Sequence, residues 1–408
     1  MKKAILINVG NEILKGISLN TNLYEISKFL FSRGIIISKN VVIKDDVEEL
    51  KEEITKNLGQ FEIMIVTGGL GPTYDDITRK AISLALDLKL KFSSKLYSQL
   101  KPKFSKYNII ENEILKRYAY IIENAKIIDN PKGIAPGYYI QHNYTHIILL
   151  PGPPTEAIAV LENSLSKVPP EPAFCRYLRT HGIMENKIQE LCGSELVKVE
   201  SGLYPSIRGV DIYLQSDDRE TLEHISDIIK KKIGTFIYTE ELKDIEDIIG
   251  EKLREDNLTL SVAESCTGGL LGDLITGVPG SSDYFAGGLI TYSNEVKINM
   301  LHVPRGIIIE KGAVSPECAY QMVKNLVNLF ATSVGISVTG IAGPTGGTKG
   351  KPIGLVYIGI ALNENIRVFR YYFSGSRSEI KMKAALEALY LLNLILNGLA
   401  LPENILKI

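Results

Sequence analysis

Short, almost wholly apolar runs rich in β-branched residues alternate with helix-like segments through the first third of the 408-residue chain. Residues 3–9, 34–42 and 62–67 are such runs. Residues 22–32 and 47–57, which lie between them, have apolar side chains at helical spacing. A strand that is apolar on both faces has to be covered on both faces, as in a parallel sheet flanked by helices. The pattern therefore predicts an α/β fold with its ligand site at the carboxyl ends of the strands.

The length of the chain predicts two or three domains. A proline cluster at residues 168–172 is the clearest linker signal, and a second boundary falls near residues 240–244. Helix and strand signals between them follow the order of a small KH-like or split β-α-β unit, with one strand expected at residues 196–200. We therefore predict an α/β domain at 1–167, a KH-like α+β domain at 168–244 and a second α/β domain at 245–408.

At the end of the chain, residues 379–396 predict a long helix whose apolar face could serve either the core or a dimer. Residues 401–408 look like a tail.

Bulk composition excludes several classes of protein. A net charge of -1 gives no overall attraction to nucleic acid or to an anionic membrane, and no apolar run reaches the roughly 20 residues that span a bilayer. The first residues, MKKAILINVGNEIL, lack a signal-peptide cleavage site. The cysteines stand far apart without metal-ligand spacing, which predicts free thiols in a reducing cytoplasm: Cys175, Cys192, Cys266 and Cys318.

The stretch from residue 258 to 300 carries the clearest chemistry. One β-prone run ends at Glu264 and is followed by Ser265, and a second ends at Tyr292, with Lys297 close behind. Lysine can deprotonate a serine when burial or its neighbours lower its pKa from about 10.4. We predict Ser265 as nucleophile and Lys297 as base, with Tyr292 relaying or orienting the proton. The alternative is that Ser265 only caps the next helix.

Two other arrangements of the same chemistry are less favoured. His302 is the only histidine after residue 244 and stands in no triad-like context, so a Ser-His-Asp triad is not evident. Cys266 is a rival nucleophile beside Ser265. Without a histidine to keep it as a thiolate, we interpret it as a packed thiol.

A glycine-rich loop at residues 339–352 is the second candidate site. Its glycines permit a close approach of a ligand, and its threonines and lysines offer donors to an anion. Arg377 could add a bidentate phosphate contact. The alternative for the loop is a mobile hairpin connection without a ligand, and the alternative for Arg377 is a solvated side chain. The candidate substrate-binding residues are Thr339, Gly340, Gly343, Thr345, Gly346, Gly347 and Arg377.

A third group of motifs lies in the N-terminal domain, at residues 10–14, 20–22 and 67–76. The last group follows a predicted strand and precedes a helix, where a phosphate-bearing ligand docks in an open α/β sheet. Asp75 and Asp76 are suited to a divalent cation, or are ordinary first-turn residues of a helix. The candidate nucleotide-site residues are Asn11, Glu12, Asn20, Thr21, Gly68, Gly69, Gly71, Thr73 and Gly152.

These motifs together resemble the CinA family (competence/damage-inducible protein A) over essentially the whole chain. The N-terminal domain resembles the molybdopterin-binding fold through GNEIL, NTN, TGGLGPTYDD, GIAPGY and PGPPTE. The C-terminal domain is similar to nicotinamide mononucleotide deamidases through AESCTGG, GGLITYSNEVK, GAVSPE and SVTGIAGPTGG. The middle segment resembles the KH-type domain that joins the two.

The resemblance implies a Ser/Lys amidohydrolase that converts nicotinamide mononucleotide (NMN) and water to nicotinate mononucleotide and ammonia without a cofactor. Its pattern falls on Ser265, Tyr292 and Lys297. For the N-terminal domain it implies cleavage of ADP-ribose with a divalent metal of the magnesium or cobalt type, with or without potassium, near Asp75 and Asp76. The partners it implies are these small nucleotides and a second copy in a homodimer.

Two functions of other classes stay open at this stage. One is a molybdopterin- or nucleotide-binding module with a regulatory C-terminal domain, which would have no reason to keep Ser265, Tyr292 and Lys297. The other is nucleic-acid binding by the KH-like segment. It is weakened by the near-zero net charge and by the absence of a GXXG sequence from residues 168–245.

Overall fold

A computed structural model describes residues 2–109, 113–165 and 174–406. The predicted linker at 168–172 and the boundary after residue 167 lie outside these residues. The chain divides into two compact units, Met1–Ala173 and Phe174–Ile408. No helix in the described ranges has the length and apolarity needed to cross a membrane.

The first unit is an α/β layer built on the predicted apolar runs. Its strands are β1 (Lys2–Val9), β2 (Ile35–Ile43), β3 (Ile63–Thr67), β4 (Leu90–Phe92), β5 (Tyr120–Ile122), β6 (Lys126–Ile128), β7 (Gly137–His142) and β8 (Thr145–Leu150). Its helices are α1 (Asn11–Leu14), α2 (Thr21–Phe31), α3 (Val47–Asn57), α4 (Thr78–Ala85), α5 (Ser94–Lys106) and α6 (Pro154–Leu165).

The main sheet of this unit has the order β2-β1-β3-β8-β7-β6. The first four strands are parallel to one another, and the pairs β8–β7 and β7–β6 are antiparallel. The sheet is therefore mixed, not wholly parallel as predicted. Every residue of β3 is buried, because β3 lies inside the sheet with side chains in a core on each face. The carboxyl ends of β1, β3 and β8 therefore lie at one edge, where the N-terminal motifs begin.

The second unit opens with a β-α-β-β-α-β segment. Its elements are β9 (Phe174–Thr180), α7 (Glu185–Leu196), β10 (Glu200–Ser206), β11 (Gly209–Ser216), α8 (Arg219–Ile233) and β12 (Ile237–Thr239). The antiparallel order β10-β11-β9-β12 is that of the split β-α-β alternative. The strand expected at residues 196–200 was wrong, because Leu196 continues the buried face of α7 with Ile188 and Cys192.

The rest of the second unit is again α/β. Its strands are β13 (Leu260–Glu264), β14 (Phe285–Ile290), β15 (Val334–Gly340), β16 (Leu355–Leu362), β17 (Asn365–Tyr372) and β18 (Ile405–Leu406). Its helices are α9 (Ile245–Glu255), α10 (Leu270–Thr276), α11 (Asn294–Leu301), α12 (Arg305–Glu310), α13 (Pro316–Phe330) and α14 (Arg377–Leu396).

The sheet order is β14-β13-β15-β16-β17-β18, with β14, β13 and β15 parallel and the remaining pairs antiparallel. The interpretation of residues 401–408 as a tail was wrong, since β18 pairs with Val368 and Phe369 on β17. The apolar residues of α14 are buried in the core of the chain itself. They serve the core and leave no apolar face on this helix for a dimer.

His181 joins the split β-α-β segment to α14. Its Nε2 lies 3.0 Å from a carboxylate oxygen of Glu387, and its Nδ1 lies 2.8 Å from the carbonyl oxygen of Arg208. A carbonyl and an ionised carboxylate only accept hydrogen bonds, so the charged imidazolium satisfies both. Burial alone would lower the pKa of His181, but the hydrogen bond and the charge of Glu387 raise it above its ordinary 6.5.

We expect this pair to make the stability of the protein depend on pH. Because the pKa of His181 is raised in the folded state, the stabilisation is complete below the unfolded pKa and is lost as the pH rises through the folded pKa. Glu387→Gln should lower the melting temperature by roughly 5 °C at pH 6, and by less at pH 9. Scanning calorimetry at both pH values tests this. An equal decrease at the two values would contradict it.

Candidate functional site

The turn that carries Ser265 begins where β13 ends. The Ser265 amide donates to the carbonyl of Val338 on β15, over 2.9 Å. The start of α10 is capped by another side chain: the buried carboxylate of Glu264 accepts from the amides of Gly269 (2.9 Å), Leu271 (3.1 Å) and Gly272 (2.8 Å). Ser265 is therefore not the helix cap, and its hydroxyl is available for chemistry.

Lys297 meets that hydroxyl from the neighbouring strand connection. The strand β14 stops at Ile290, two residues before the predicted end at Tyr292, and Lys297 lies on α11, which Ser293 caps. Its side chain is only 1% exposed. The Nζ atom lies 2.9 Å from Ser265 Oγ, 2.6 Å from the carbonyl oxygen of Thr291 and 3.3 Å from that of Tyr292.

These contacts suit a neutral amine. Burial lowers the pKa of Lys297, because the charged form loses its hydration. A neutral amine has two N–H donors and one lone pair. The carbonyls of Thr291 and Tyr292 can only accept, so they take the two N–H groups. The lone pair is then left facing the hydroxyl of Ser265, which is the geometry that a general base requires.

Tyr292 and Arg377 form a second polar pair at this site. The Tyr292 side chain is 61% exposed, and its hydroxyl accepts from Arg377 over 3.0 Å. Arg377 also donates to the carbonyl of Gly343 over 2.6 Å. No hydrogen bond joins the Tyr292 hydroxyl to Ser265 or Lys297, all of which the structure describes. The side chain is not placed as a proton relay, and Tyr292 contributes its carbonyl to the lysine.

The thiols near Lys297 are poor nucleophiles. Burial raises the pKa of Cys266 to about 12 and that of Cys318 to about 11. Both are therefore protonated at neutral pH, and both are free cysteines packed in the interior. This agrees with the interpretation of Cys266 as a packed thiol and leaves Ser265 as the candidate nucleophile.

Ser265 and Lys297 open onto a cavity of about 290 Å³. Most of the predicted substrate-binding residues line it, and Gly347 does not. The lining residues are Ser265, Cys266, Tyr292, Lys297, Ala313, Val314, Thr339, Gly340, Ile341, Ala342, Gly343, Thr345, Gly346 and Arg377. The hydroxyl of Thr339 donates to the carbonyl of Ala313 over 2.8 Å, so it also joins the glycine loop to the turn before α13.

A second cavity, of about 420 Å³, lies in the N-terminal unit. It is walled by three loops that the sequence motifs supply and by two tyrosine rings. The lining residues are Gly69, Leu70, Gly71, Asp76, Tyr107, Ile109, Tyr118, Lys132, Gly133, Ile134, Ala135, Pro151, Gly152, Pro153 and Glu156. The tyrosines, Lys132 and Glu156 were not among the predicted site residues: Tyr107, Tyr118 and Lys132 lie outside the motifs, and Glu156 ends the PGPPTE motif, from which only Gly152 was predicted.

Several predicted N-terminal residues hold the loops rather than line this cavity. Asn20 caps α2 by accepting from Leu23, and Thr21 is the first residue of that helix. Gly68 has a φ of +98° and lies so close to Val9 that a side chain would meet its carbonyl oxygen at 2.4 Å. The side chain of Asn22 donates to the carbonyl of Gly152 over 2.6 Å.

Four acidic residues of this unit lie near enough for three of them to act electrostatically on the fourth, Asp45. Burial raises the pKa of Asp45, and the charges of Glu12, Asp75 and Asp76 raise it further, against the effect of a hydrogen bond from the Asn11 amide. No motif marks Asp45 in the sequence, although it closely follows β2. Its position completes a group of four carboxyl groups.

The structure does not arrange these acids as a metal site. Among the described residues, no three His, Cys, Asp or Glu side chains are placed to hold an ion together. The Asp76 carboxylate accepts from the amides of Gly71 and Thr73, and the single hydroxyl proton of Thr73 is shared between Asp76 and Asp75. Both acids therefore hold their own loop, and the metal prediction for them is not supported by this geometry.

The buried amine of Lys297 leads to a prediction that does not depend on activity. A lowered folded-state pKa means that burial of the lysine is unfavourable at every pH below the folded value, and that the penalty disappears as the pH approaches 10.5. Lys297→Met should therefore raise the melting temperature at pH 7, and the gain should shrink by pH 10. Thermal unfolding measures this. Lys383→Met, which removes a half-buried lysine of α14, is the control and should show no such trend.

Comparison with known proteins assigns both halves of the chain. Residues 5–170 match the family described as "Probable molybdopterin binding domain", and residues 242–396 match "CinA C-terminal domain". A CinA-like protein of Thermotoga neapolitana is 36% identical, over 95% of this chain and 97% of that protein. One of Thermosipho melanesiensis is 37% identical, over 97% and 100%.

A solved structure of the protein CinA from Thermoplasma acidophilum is 32% identical and covers 41% of this chain and 98% of that one, with a TM-score of 0.38. The full-length relatives decide the assignment, since they span both units. The chain belongs to the CinA family, with an α/β domain of the molybdopterin-binding type at its N-terminus and a CinA C-terminal domain.

Proposed function

We propose that the C-terminal domain hydrolyses the carboxamide of nicotinamide mononucleotide to nicotinate mononucleotide and ammonia. The observation that carries the proposal is the contact of 2.9 Å between the buried amine of Lys297 and the hydroxyl of Ser265, at the wall of a cavity. A buried serine–lysine pair is the arrangement of an activated nucleophile. A pure binding module, the alternative of another class, gains nothing from an uncharged buried lysine.

Acylation begins when Ser265 Oγ attacks the carboxamide carbon and its proton passes to the lone pair of Lys297. The carbonyl oxygen becomes an oxyanion, which needs donors from the turn that follows the serine. The ammonium of Lys297 then gives a proton to the leaving nitrogen, the C–N bond breaks, and ammonia departs. An ester between Ser265 and the nicotinoyl group remains.

Deacylation repeats the same steps with water. The neutral amine of Lys297 removes a proton from water as the water oxygen attacks the ester carbon. Collapse of the intermediate returns the proton to Ser265 Oγ and releases the acid. The three oxygen atoms around Nζ satisfy the ammonium as well as the amine, so Lys297 needs no movement between its roles as base and acid.

The walls of the cavity support a phosphorylated substrate. Gly340, Gly343 and Gly346 bring bare backbone to one side, and Arg377 provides a permanent cation at the opening. Arg377 is anchored by Gly343 and Tyr292 in the structure, so it is positioned before a ligand binds. We assign the ribose phosphate to this end of the cavity and the carboxamide to the end at Ser265.

Substitution of the nucleophile tests the reaction directly. Ser265→Ala should reduce ammonia release from nicotinamide mononucleotide by at least about 1,000-fold, because the group that forms the acyl-enzyme is removed. Circular dichroism verifies the fold. Cys266→Ala should keep most of the activity if its protonated thiol is no nucleophile. Wild-type rates in Ser265→Ala, or loss only in Cys266→Ala, would refute the serine mechanism.

For the N-terminal domain, we infer that the cavity of about 420 Å³ binds a nucleotide or a pterin. The supporting observation is its position at the carboxyl ends of parallel strands, between the glycine turn at 68–71 and the aromatic rings of Tyr107 and Tyr118. Metal-dependent cleavage of ADP-ribose is the narrower activity that the family resemblance implies. Because the acids do not form a metal site, we derive no step through an ion.

One assay distinguishes cleavage of ADP-ribose from binding without cleavage. Purified protein is incubated with ADP-ribose, with and without magnesium, cobalt and potassium ions, and both binding and product are measured. If cleavage occurs, the double variant Asp75→Ala, Asp76→Ala should lose it while ammonia release from nicotinamide mononucleotide stays unchanged. Cleavage by the double variant would show that these carboxylates are not required. Binding without cleavage would support a binding domain.

A further inference from the structure

The mechanism leaves one buried charge at the catalytic turn unused. Glu264 immediately precedes the nucleophile and is 2% exposed, yet the carboxylate contacts neither Ser265 nor Lys297 by a hydrogen bond in the described part of the chain. It accepts instead from three amides of the following helix. A buried carboxylate is costly unless it is fully hydrogen-bonded, so its place here needs a reason.

The amides that Glu264 takes are those that α10 would otherwise leave unpaired. The first four N–H groups of a helix have no partner within the helix, and together with the helix dipole they attract an anion. With Gly269, Leu271 and Gly272 already bound to Glu264, the start of the helix has no free donors at these positions. The oxyanion of the proposed reaction therefore has to bind hydrogen-bond donors other than these three amides.

Those donors are available in the turn between the nucleophile and the helix. No oxygen atom of the described residues accepts from the amides of Cys266, Thr267 or Gly268, and the first two have only the weakly accepting sulfur of Cys266 beside them. Gly268 and Gly269 have φ values of +64° and +98°, and successive amides around such residues form an anion-binding concavity. Glu264 holds the far end of this turn through Gly269 and the near end through the peptide chain.

Glu264 is also connected to the base. Its carbonyl accepts from the Thr291 amide over 2.7 Å, and the Thr291 carbonyl in turn accepts from Nζ of Lys297. The same residue thus fixes the turn of the nucleophile with its side chain and the cradle of the lysine with its main chain. A substitution that changes only the side chain therefore affects the turn of the nucleophile and keeps the main-chain contact with Thr291.

We propose that Glu264 is a positioning residue of the proposed amide hydrolysis: its carboxylate binds the amides at the start of α10 and so holds the free amides of residues 266–268 where they bind the oxyanion. The inference rests on the proposed function for its substrate. The inference adds that Glu264 determines the shape of the turn that binds the oxyanion.

Glu264→Gln is the test. Glutamine has one acceptor oxygen in place of two, and its NH2 group would face an amide donor, so one or more of the three hydrogen bonds is lost. With nicotinamide mononucleotide we expect kcat to fall roughly 10- to 100-fold, less than for complete removal of an oxyanion donor, and KM to stay within about twofold. The acid limb of the kcat/KM profile, set by Lys297, should not move.

A matched variant controls for simple loss of a helix cap. Asp218 caps α8 by accepting from the Thr221 amide over 2.9 Å, and Asp218→Asn should lower the melting temperature without changing kcat. An unchanged kcat in Glu264→Gln, or equal losses of kcat in the two variants, would overturn the proposal. A shifted acid limb would also overturn it, because Glu264 would then act on the protonation of Lys297.

A second readout needs no substrate. Methanesulfonyl fluoride labels an activated serine: the oxygen–sulfur bond forms, fluoride leaves, and the serine proton passes to the base. Intact-mass spectrometry should show labelling of the wild type at Ser265, slower labelling of Glu264→Gln and normal labelling of Asp218→Asn. If the wild type releases no ammonia but this order holds, the proposed substrate is wrong and the positioning role stands. Equal labelling rates would refute that role.

Discussion

The arrangement of the candidate site in the second unit depends on the amine of Lys297. An ammonium buried to this degree would normally require a carboxylate partner, and none of the described carboxylates forms an ion pair with it. The Nζ atom of Lys297 instead contacts two carbonyl oxygens and one hydroxyl, and these partners satisfy the hydrogen-bonding groups of a neutral amine. The carbonyls belong to Thr291 and Tyr292, so the chain has to leave β14 at this point and turn into α11.

Sheet topology brings this cradle to the nucleophile. Strand β13 lies between β14 and β15, parallel to both, so all three end at the same edge. Ser265 follows β13, Lys297 lies in the segment after β14, and Thr339 is near the end of β15, next to the glycine loop. Segments separated by some 30 to 75 positions in the sequence thus meet within hydrogen-bond distance or across one cavity. An α/β sheet concentrates function at this edge for the same reason in many unrelated proteins.

Patterns in the sequence predict the elements better than the contacts between them. Periodicity predicts α3 to the residue and the first strands closely, because buried faces repeat at regular spacing in the sequence. It fails at residues 196–200, where an apolar residue belongs to a helix, and at β18, where two residues gain order only from pairing with β17. At the site, motif positions identify Ser265 and Lys297. They do not show whether Tyr292 relays a proton or binds Arg377 through its hydroxyl, because the role depends on the direction of its side chain.

The two candidate sites differ in how their polar groups are occupied. In the C-terminal domain the structural hydrogen bonds are made by Glu264 and Thr339, which leaves the hydroxyl of Ser265 and the lone pair of Lys297 free to react. In the N-terminal domain the conspicuous acid Asp76 binds three donors of its own loop. A carboxylate has about four lone pairs, and Oδ1 of Asp76 accepts only the Gly71 amide, so this oxygen keeps a lone pair while the loop stays bound. The acid at the N-terminal site therefore shapes its own loop, whereas at the C-terminal site Glu264 and Thr339 hold the loops and the Ser265–Lys297 pair is separate from them.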